Sequence, residues 1–246
     1  MLVRAAGFRY DSGTLPAVIA ELVFKRKGAW MTTDQLAAEA ADGAPLSDMQ
    51  ARKKVIREQA HAARNALPNK DELSQGICEK FVALPEYAAA KTVMYYVDVR
   101  SEVRTRHYLA TALTHGKRIV VPYCVDGELE LFVLEDMNEL AVGMYKILEP
   151  KTELRDLPQK KARPEELDLI MVPGVAFDRR GARTGHGFGY YDKLLEHSRM
   201  DCPLVALAFE CQMFPEIPTM PHDIFMDKII TEAAVYERQI PGRYGN

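Results

Sequence analysis

Apolar residues recur with two different rhythms along this chain, and the change of rhythm sketches the fold. From Ser47 a helical pattern begins: Ile56, Ala60, Ala63 and Leu67 return at spacings of four, three and four, which places them on one face. Lys53, Arg57, His61 and Arg64 keep the same rhythm on a neighbouring stripe. Pro68 and Asn69 end that helix, and a second helical pattern runs from about Lys70 to Leu84. Then strand-like segments take over. Thr92–Val97 reads as a buried strand, Ser101 to about His115 as a helix, and Arg118–Tyr123 as the next strand. Glu128–Leu134 alternates like a strand with one wet face, while Leu167–Val172 and Pro203–Phe209 are more continuously apolar. Strands separated by helical segments predict an α/β fold: a single three-layer domain, its mainly parallel sheet flanked by helices. Such sheets bind ligands at the carboxyl ends of their strands. Residues 150–166, rich in Lys, Arg, Glu and Pro, read as an exposed connection.

Residues 1–46 share neither rhythm. They are expected to be a loosely ordered extension or, because Met31 opens a polar start-like segment, an over-extended reading frame. The domain proper is expected over 47–240, with 241–246 as a tail.

Composition narrows the function classes. The chain has 246 residues, 48% of them hydrophobic and 27% charged, as expected for a folded soluble protein. A net charge of −3 gives no basic field for nucleic acid. The apolar run Leu15–Phe24 is too short for a bilayer and contains Glu21, so no membrane partner is expected. Arg9, Asp11 and Glu21 interrupt any secretory signal. The four cysteines, Cys78, Cys124, Cys202 and Cys211, have no metal-binding spacing and fit reduced thiols of a cytoplasmic protein.

The candidate chemistry lies after the strand ending at Val172. Gly174, Gly181, Gly185, Gly187 and Gly189 fall within sixteen residues, the last three alternating just before an amphipathic segment that includes Leu194 and Leu195. Glycines let backbone N–H groups approach a ligand, and Arg183 adds a guanidinium, so the loop suits a phosphate. It is neither a Walker A loop nor a dinucleotide fingerprint, and the pattern leaves a glycine-rich structural turn equally open. Asp192 is either a helix-dipole partner or, if phosphates sit nearby, a magnesium ligand between like charges. Lys53 and Arg57, four residues apart, present two cations on one side of their helix, as a solvated face or a ligand contact. Glu102 follows Ser101 at a predicted helix start, where capping explains both. Asp227 enters a late strand and by itself reads as a surface aspartate.

Taken in order, the segments KKVIR, YYVDVRSEVRT, KILEP, DLIMVPGVAFDRRGARTGHGFGYYD and MDKIITE resemble the 5-formyltetrahydrofolate cyclo-ligase family, from about Lys53 to Glu232. The resemblance implies a fold like the NagB, RpiA and CoA-transferase group. It also implies MgATP-dependent conversion of 5-formyltetrahydrofolate to 5,10-methenyltetrahydrofolate, with release of ADP and phosphate through a phosphorylated formyl (imidate) intermediate. By that similarity Lys53, Arg57, Arg183, Gly185, Gly187, Gly189, Tyr190 and Tyr191 contact ATP. Glu102, His186, Gly187, Phe188, Gly189 and Tyr190 border the folate, and Asp192 and Asp227 hold Mg²⁺. Arg183, Tyr190 and Asp192 are the expected catalytic group. Small-molecule substrates are the expected partners, in a monomer or weak homodimer. Thr184, Phe188 and Lys146 depart from the family pattern; Phe188 adds an aromatic ring that either stacks on a ligand or packs outward. A protein of this fold that binds nucleotide or folate without turnover is the alternative.

Overall fold

Strands whose two faces are both apolar need a cover on each side, and the central strands of this protein are of that kind. The computed structural model describes residues 24–26, 29–31, 46–143, 147–221, 223–239 and 243. Among the described residues fourteen strands, β1 to β14, are numbered in chain order, and eight of them form one sheet in the order β14-β13-β12-β9-β3-β4-β5-β8. Its parallel centre consists of β13 (Lys228–Ile230), β12 (Leu204–Leu207), β9 (Leu169–Val172), β3 (Thr92–Met94) and β4 (Arg118–Val125). The margins run antiparallel to their neighbours: β14 (Val235–Glu237) on β13, β5 (Glu128–Leu134) on β4, and β8 (Lys161–Ala162) on β5.

Alternation along the strands sorts the core into two layers. Val93, Ile119, Leu169, Met171 and Val205 pack with Ile77 and Phe81 of α2 (Lys70–Val82), Tyr87 of α3 (Pro85–Ala89) and Leu109 of α4 (Arg106–Ala112). Met94, Val120, Ile170, Val172 and Leu204 face the other way, onto Leu194 and Leu195 of α6 (Tyr190–Glu196). The long α1 (Leu46–Ala66) lays Ile56 and Ala60 against Val175, Ala176, Ile217 and Phe225, a third cluster beside the sheet. The three-layer, mainly parallel architecture read from the sequence is therefore present.

Several boundaries differ for local reasons. The helix expected from Ser101 starts at Arg106 and ends in a 3₁₀ turn over Leu113–His115. Residues 98–105 are engaged in a tight turn instead: Asp98 accepts from Arg106 N at 2.8 Å, Glu102 accepts from Val99 N at 3.0 Å, and Thr105 Oγ1 donates to Tyr96 O. The expected exposed connection 150–166 contains α5 (Thr152–Arg155) and the edge strand β8, and it begins with β7 (Leu148–Pro150), paired with β6 (Leu140–Val142). Lys160 in that stretch is buried between the carboxylates of Glu135 and Glu139. Within the first 45 residues, the described ones form a hairpin, β1 (Phe24–Arg26) with β2 (Ala29–Met31), which the sequence pattern did not predict. The rest of that stretch and Lys146 lie outside the described residues, as does all of 240–246 except Arg243. Arg243, read as part of a tail, is buried and donates to Leu195 O, Ser198 O and Cys202 O.

Candidate functional site

The chain leaving β9 at its carboxyl end is shaped by tight packing before it reaches any ligand-facing residue. A Cβ on Gly174 would stand 2.4 Å from Phe177 Cζ, so the close turn after Pro173 requires glycine. A small hairpin follows, β10 (Ala176–Phe177) with β11 (Arg183–Thr184). The buried carboxylate of Asp178 holds its turn by accepting from Arg180 N, Ala182 N and Ile217 N. This hairpin is what aims Arg183 and delivers residues 185–189 to the carboxyl end of the sheet. Gly187, at φ +96°, sits where a side chain would be strained, and Arg57 lies just beyond the position its Cβ would take.

The α1 stripe meets this loop. Arg57 Nε donates to Gly185 O at 2.8 Å, and partial burial pushes its pKa down while Asp223 opposes that shift. One turn earlier, Lys53 Nζ pairs with Asp223 Oδ2 at 2.6 Å. Arg183 is nearly buried; it donates to Pro173 O at 3.2 Å and to Asp192 Oδ1 at 2.5 Å. Its Nε and the neighbouring Thr184 Oγ1 are buried with no partner among the described residues, as are Glu86 Oε2 and Arg243 Nε away from this loop.

On the other side of the loop, His186 Nε2 lies 3.6 Å from Glu102 Oε1, and Glu102 is only 5% exposed. The His186 ring stacks on His61 at 5.4 Å, and Arg64 Nε donates to Ser101 Oγ at 3.0 Å. Tyr191 lies within range of both Glu102 and Arg183: burial, then Glu102, pushes its phenol up, and Arg183 opposes. Phe188 is 67% exposed and stacks on Tyr190 at 5.4 Å and 12°, so its ring faces outward from the loop.

Most of the predicted residues thus converge: Lys53, Arg57, Glu102, Arg183, the 185–189 loop, Tyr190, Tyr191 and Asp192. Asp227 does not join them. It stands at the amino end of β13 and accepts from Leu204 N at 2.7 Å, while Leu204 O accepts from Asp227 N. Asp192 is at the opposite, carboxyl end, because α6 starts there and returns the chain toward β12. The expected pairing of Asp192 with Asp227 around one cation is therefore not assembled. Among the described residues no group of three or more His, Cys, Asp or Glu side chains is arranged for a metal ion. Asp223 and Gln212 were missed. Gln212, buried, donates to Gly174 O and Val175 O and fixes the start of the loop. Neither stands in a periodic segment; His61 and Arg64, in contrast, shared the helical rhythm of Lys53 and Arg57.

Fold and site together define an α/β protein with a cation-lined glycine loop beside a buried carboxylate, suited to a phosphate and a second, polar ligand. Comparison with known families matches residues 49–232 to the 5-formyltetrahydrofolate cyclo-ligase family. A probable 5-formyltetrahydrofolate cyclo-ligase of Schizosaccharomyces pombe is 34% identical over 179 residues, covering 67% of this chain and 86% of the relative. The Escherichia coli K12 5-formyltetrahydrofolate cyclo-ligase is 29% identical, covering 68% and 91%. Among solved structures, Aquifex aeolicus 5,10-methenyltetrahydrofolate synthetase superposes with a TM-score of 0.66 at 30% identity, covering 79% of this chain and 96% of that one. The chain belongs to the 5-formyltetrahydrofolate cyclo-ligase family, a family of enzymes.

Proposed function

We propose that this protein uses ATP and Mg²⁺ to cyclise 5-formyltetrahydrofolate to 5,10-methenyltetrahydrofolate, releasing ADP and phosphate. The observation that carries the reading is the two-sided glycine loop. One side meets Arg57 at Gly185 O and the other meets Glu102 through His186. A nucleotide and a folate bound on the two sides would present their reacting ends to each other across residues 185–189.

The chemistry needs positioning and charge neutralisation more than a protein nucleophile. The formyl oxygen attacks the γ-phosphorus and the bond to ADP breaks, leaving a phosphorylated imidate. Nitrogen 10 then attacks the formyl carbon and loses its proton. Phosphate departs with the former formyl oxygen, and the cationic methenyl product remains. Arg57 and Arg183 supply positive charge beside the phosphates. Glu102, held by Val99 N, orients the pterin from below the loop.

Magnesium fits this site through one carboxylate. Asp192 gives one oxygen to Arg183, and its side chain is 40% exposed, which suits an ion that keeps waters and takes most of its ligands from substrate phosphates. Asp192 would hold the ion, which when bound neutralises phosphate charge. Asp227 takes no part in this reading.

Incubating the protein with 5-formyltetrahydrofolate, with and without MgATP, tests the proposal through the near-ultraviolet absorbance of the methenyl product. Product is expected only with MgATP. A correctly folded sample that forms none overturns the reading, as does equal product without ATP.

A further inference from the structure

Two members of the α1 stripe have no part in the reaction just described: His61 and Arg64. Arg64 is 1% exposed, and among the described residues no carboxylate hydrogen-bonds to it, although Glu102 is a charged neighbour. Its Nε donates to Ser101 Oγ, its Nη1 to Gly174 O at 3.3 Å, and its Nη2 lies 3.3 Å from His61 Nδ1. A guanidinium has donors and no acceptor, so Nδ1 of His61 must be the accepting, unprotonated nitrogen. The imidazole is then neutral and carries its proton on Nε2. Among the described residues that Nε2–H has no protein acceptor, and its ring stacks on His186 of the glycine loop with centroids 5.4 Å apart and planes inclined at 26°.

The surroundings keep the ring uncharged. Burial, Arg64 on the same helix, His186 on the glycine loop and Arg100 on the β3–α4 turn all push the His61 pKa down; Glu102, from that same turn, is the opposing group. Arg100 itself is held in the left-handed region at φ 53°, a conformation that is uncommon outside glycine and concentrates at functional turns.

We propose that His61 is a substrate-binding residue whose Nε2–H donates to an oxygen of the reduced-pterin substrate, and that Arg64 is the positioning residue that fixes this tautomer. The identity of the substrate rests on the function proposed above; the tautomer does not.

Long-range ¹H–¹⁵N correlation spectra of the full chain labelled with ¹⁵N-histidine test it without turnover. His61 is expected as the Nε2–H tautomer, still uncharged at about pH 6.5, where a free histidine is half protonated. An Nδ1–H tautomer or an imidazolium at neutral pH overturns the assignment. Adding 5-formyltetrahydrofolate alone should shift the Nε2–H signal, and adding adenylyl imidodiphosphate with Mg²⁺ alone should not; the reverse pattern overturns it.

Kinetics give the second arm. His61→Phe should raise KM for the folate about tenfold, the size of one lost hydrogen bond. KM for ATP should stay within twofold, and His61→Gln should recover most of the loss. An unchanged folate KM in His61→Phe overturns the proposal. Arg64→Met removes a neighbouring positive charge, so it should raise the His61 pKa and move the acid limb of kcat/KM to higher pH. A variant that melts earlier with that limb unmoved marks Arg64 as merely structural and overturns its positioning role. If Arg64→Met does not fold, the wild-type spectra and His61→Phe still decide. Failure of turnover with the tautomer and folate-induced shift intact would sink the ligase reading and leave this one standing.

Discussion

The two ends of the sheet treat their charged residues in opposite ways. At the amino end, acids and cations are tied mainly to backbone, although Arg243 Nε and Glu86 Oε2 are buried with no partner among the described residues. Asp168 accepts from Lys91 N, Thr92 N and Arg199, Asp227 accepts from Leu204 N, and Arg243 donates to Leu195 O, Ser198 O and Cys202 O. The carboxyl end is the more open one: charged side chains are tied to one another, Arg183 to Asp192 and Lys53 to Asp223, and the Asp192 side chain is 40% exposed. Arg183 Nε and Thr184 Oγ1 are buried with no partner among the described residues, Phe188 is exposed, and Arg57 is held by a single carbonyl rather than an acid. Side chains bonded to strand-end amides hold the fold, whereas a partly exposed pair such as Arg183 with Asp192 can be exchanged for a ligand. Residue type does not separate the two; position along the strand does.

The sharpest way to break this comparison is to exchange the fates of its two aspartates. Asp192→Asn should lower kcat about a hundredfold, the order lost with one electrostatic contact to a reacting group, and raise the magnesium requirement. Its melting temperature should stay close to wild type, since asparagine still accepts from Arg183. Asp227→Ala should do the opposite. Leaving Leu204 N unpaired costs about 1–3 kcal/mol, with kcat per folded molecule retained. Thermal melts and turnover on both variants check this. Loss of turnover in a fully stable Asp227→Ala would erase the distinction between the ends and restore the two-aspartate metal site.

That exchange also marks how far sequence reasoning reached. The stripe on α1, the alternation in β5 and the glycine loop were legible because each is a local regularity: a helical period, a strand period, a cluster of one residue type. Asp227 was read as a site residue through family resemblance, and nothing in MDKIITE says which end of the sheet it occupies. That is settled by the parallel register of β13 on β12, which opposes Lys228 to Val205. Edge strands β8 and β14 were missed because two or three residues carry no period of their own; pairing with β5 and β13 creates them. Asp223 and Gln212 come from a stretch of turns whose order is imposed by contacts with α1 and the Gly174 turn.

Arg57→Ala probes the open end with a slightly smaller effect. Losing one charge-assisted hydrogen bond costs roughly 1.5–3 kcal/mol, so KM for ATP should rise at least tenfold. Stability should barely move, because Lys53 keeps Asp223 and the loop loses only the bond at Gly185 O. An unchanged KM for ATP removes Arg57 from the nucleotide side. Gly174→Ala asks whether the open end has a rigid base: the new methyl would press on Phe177 and cost about 1–3 kcal/mol, read as an earlier melt. Because Gly174 O also accepts from Arg64 and Gln212, kcat/KM should fall with it. Full activity in a destabilised Gly174→Ala would show that the turn is structural alone.

The smallest effect tests the amino end by pH. Burial alone raises the pKa of Asp168, but the amides of Thr92 and Lys91, with Arg199, outweigh it and hold the carboxyl below its ordinary range. A carboxyl depressed in the folded state stabilises it fully above the unfolded pKa, and that contribution is lost as pH falls through the folded one. Asp168→Asn should therefore melt slightly earlier than wild type at neutral pH. The gap should close as pH drops below the ordinary carboxylate range, where wild type is protonated too. The shift is modest because the carboxylate is partly open to solvent, which screens its pairing with Arg199. Turnover at neutral pH should not change, since Asp168 caps strands at the end away from the glycine loop. A gap between the two melting curves that widens in acid would mean the aspartate is held by something other than the amides that face it, and the amino end would lose its defining feature.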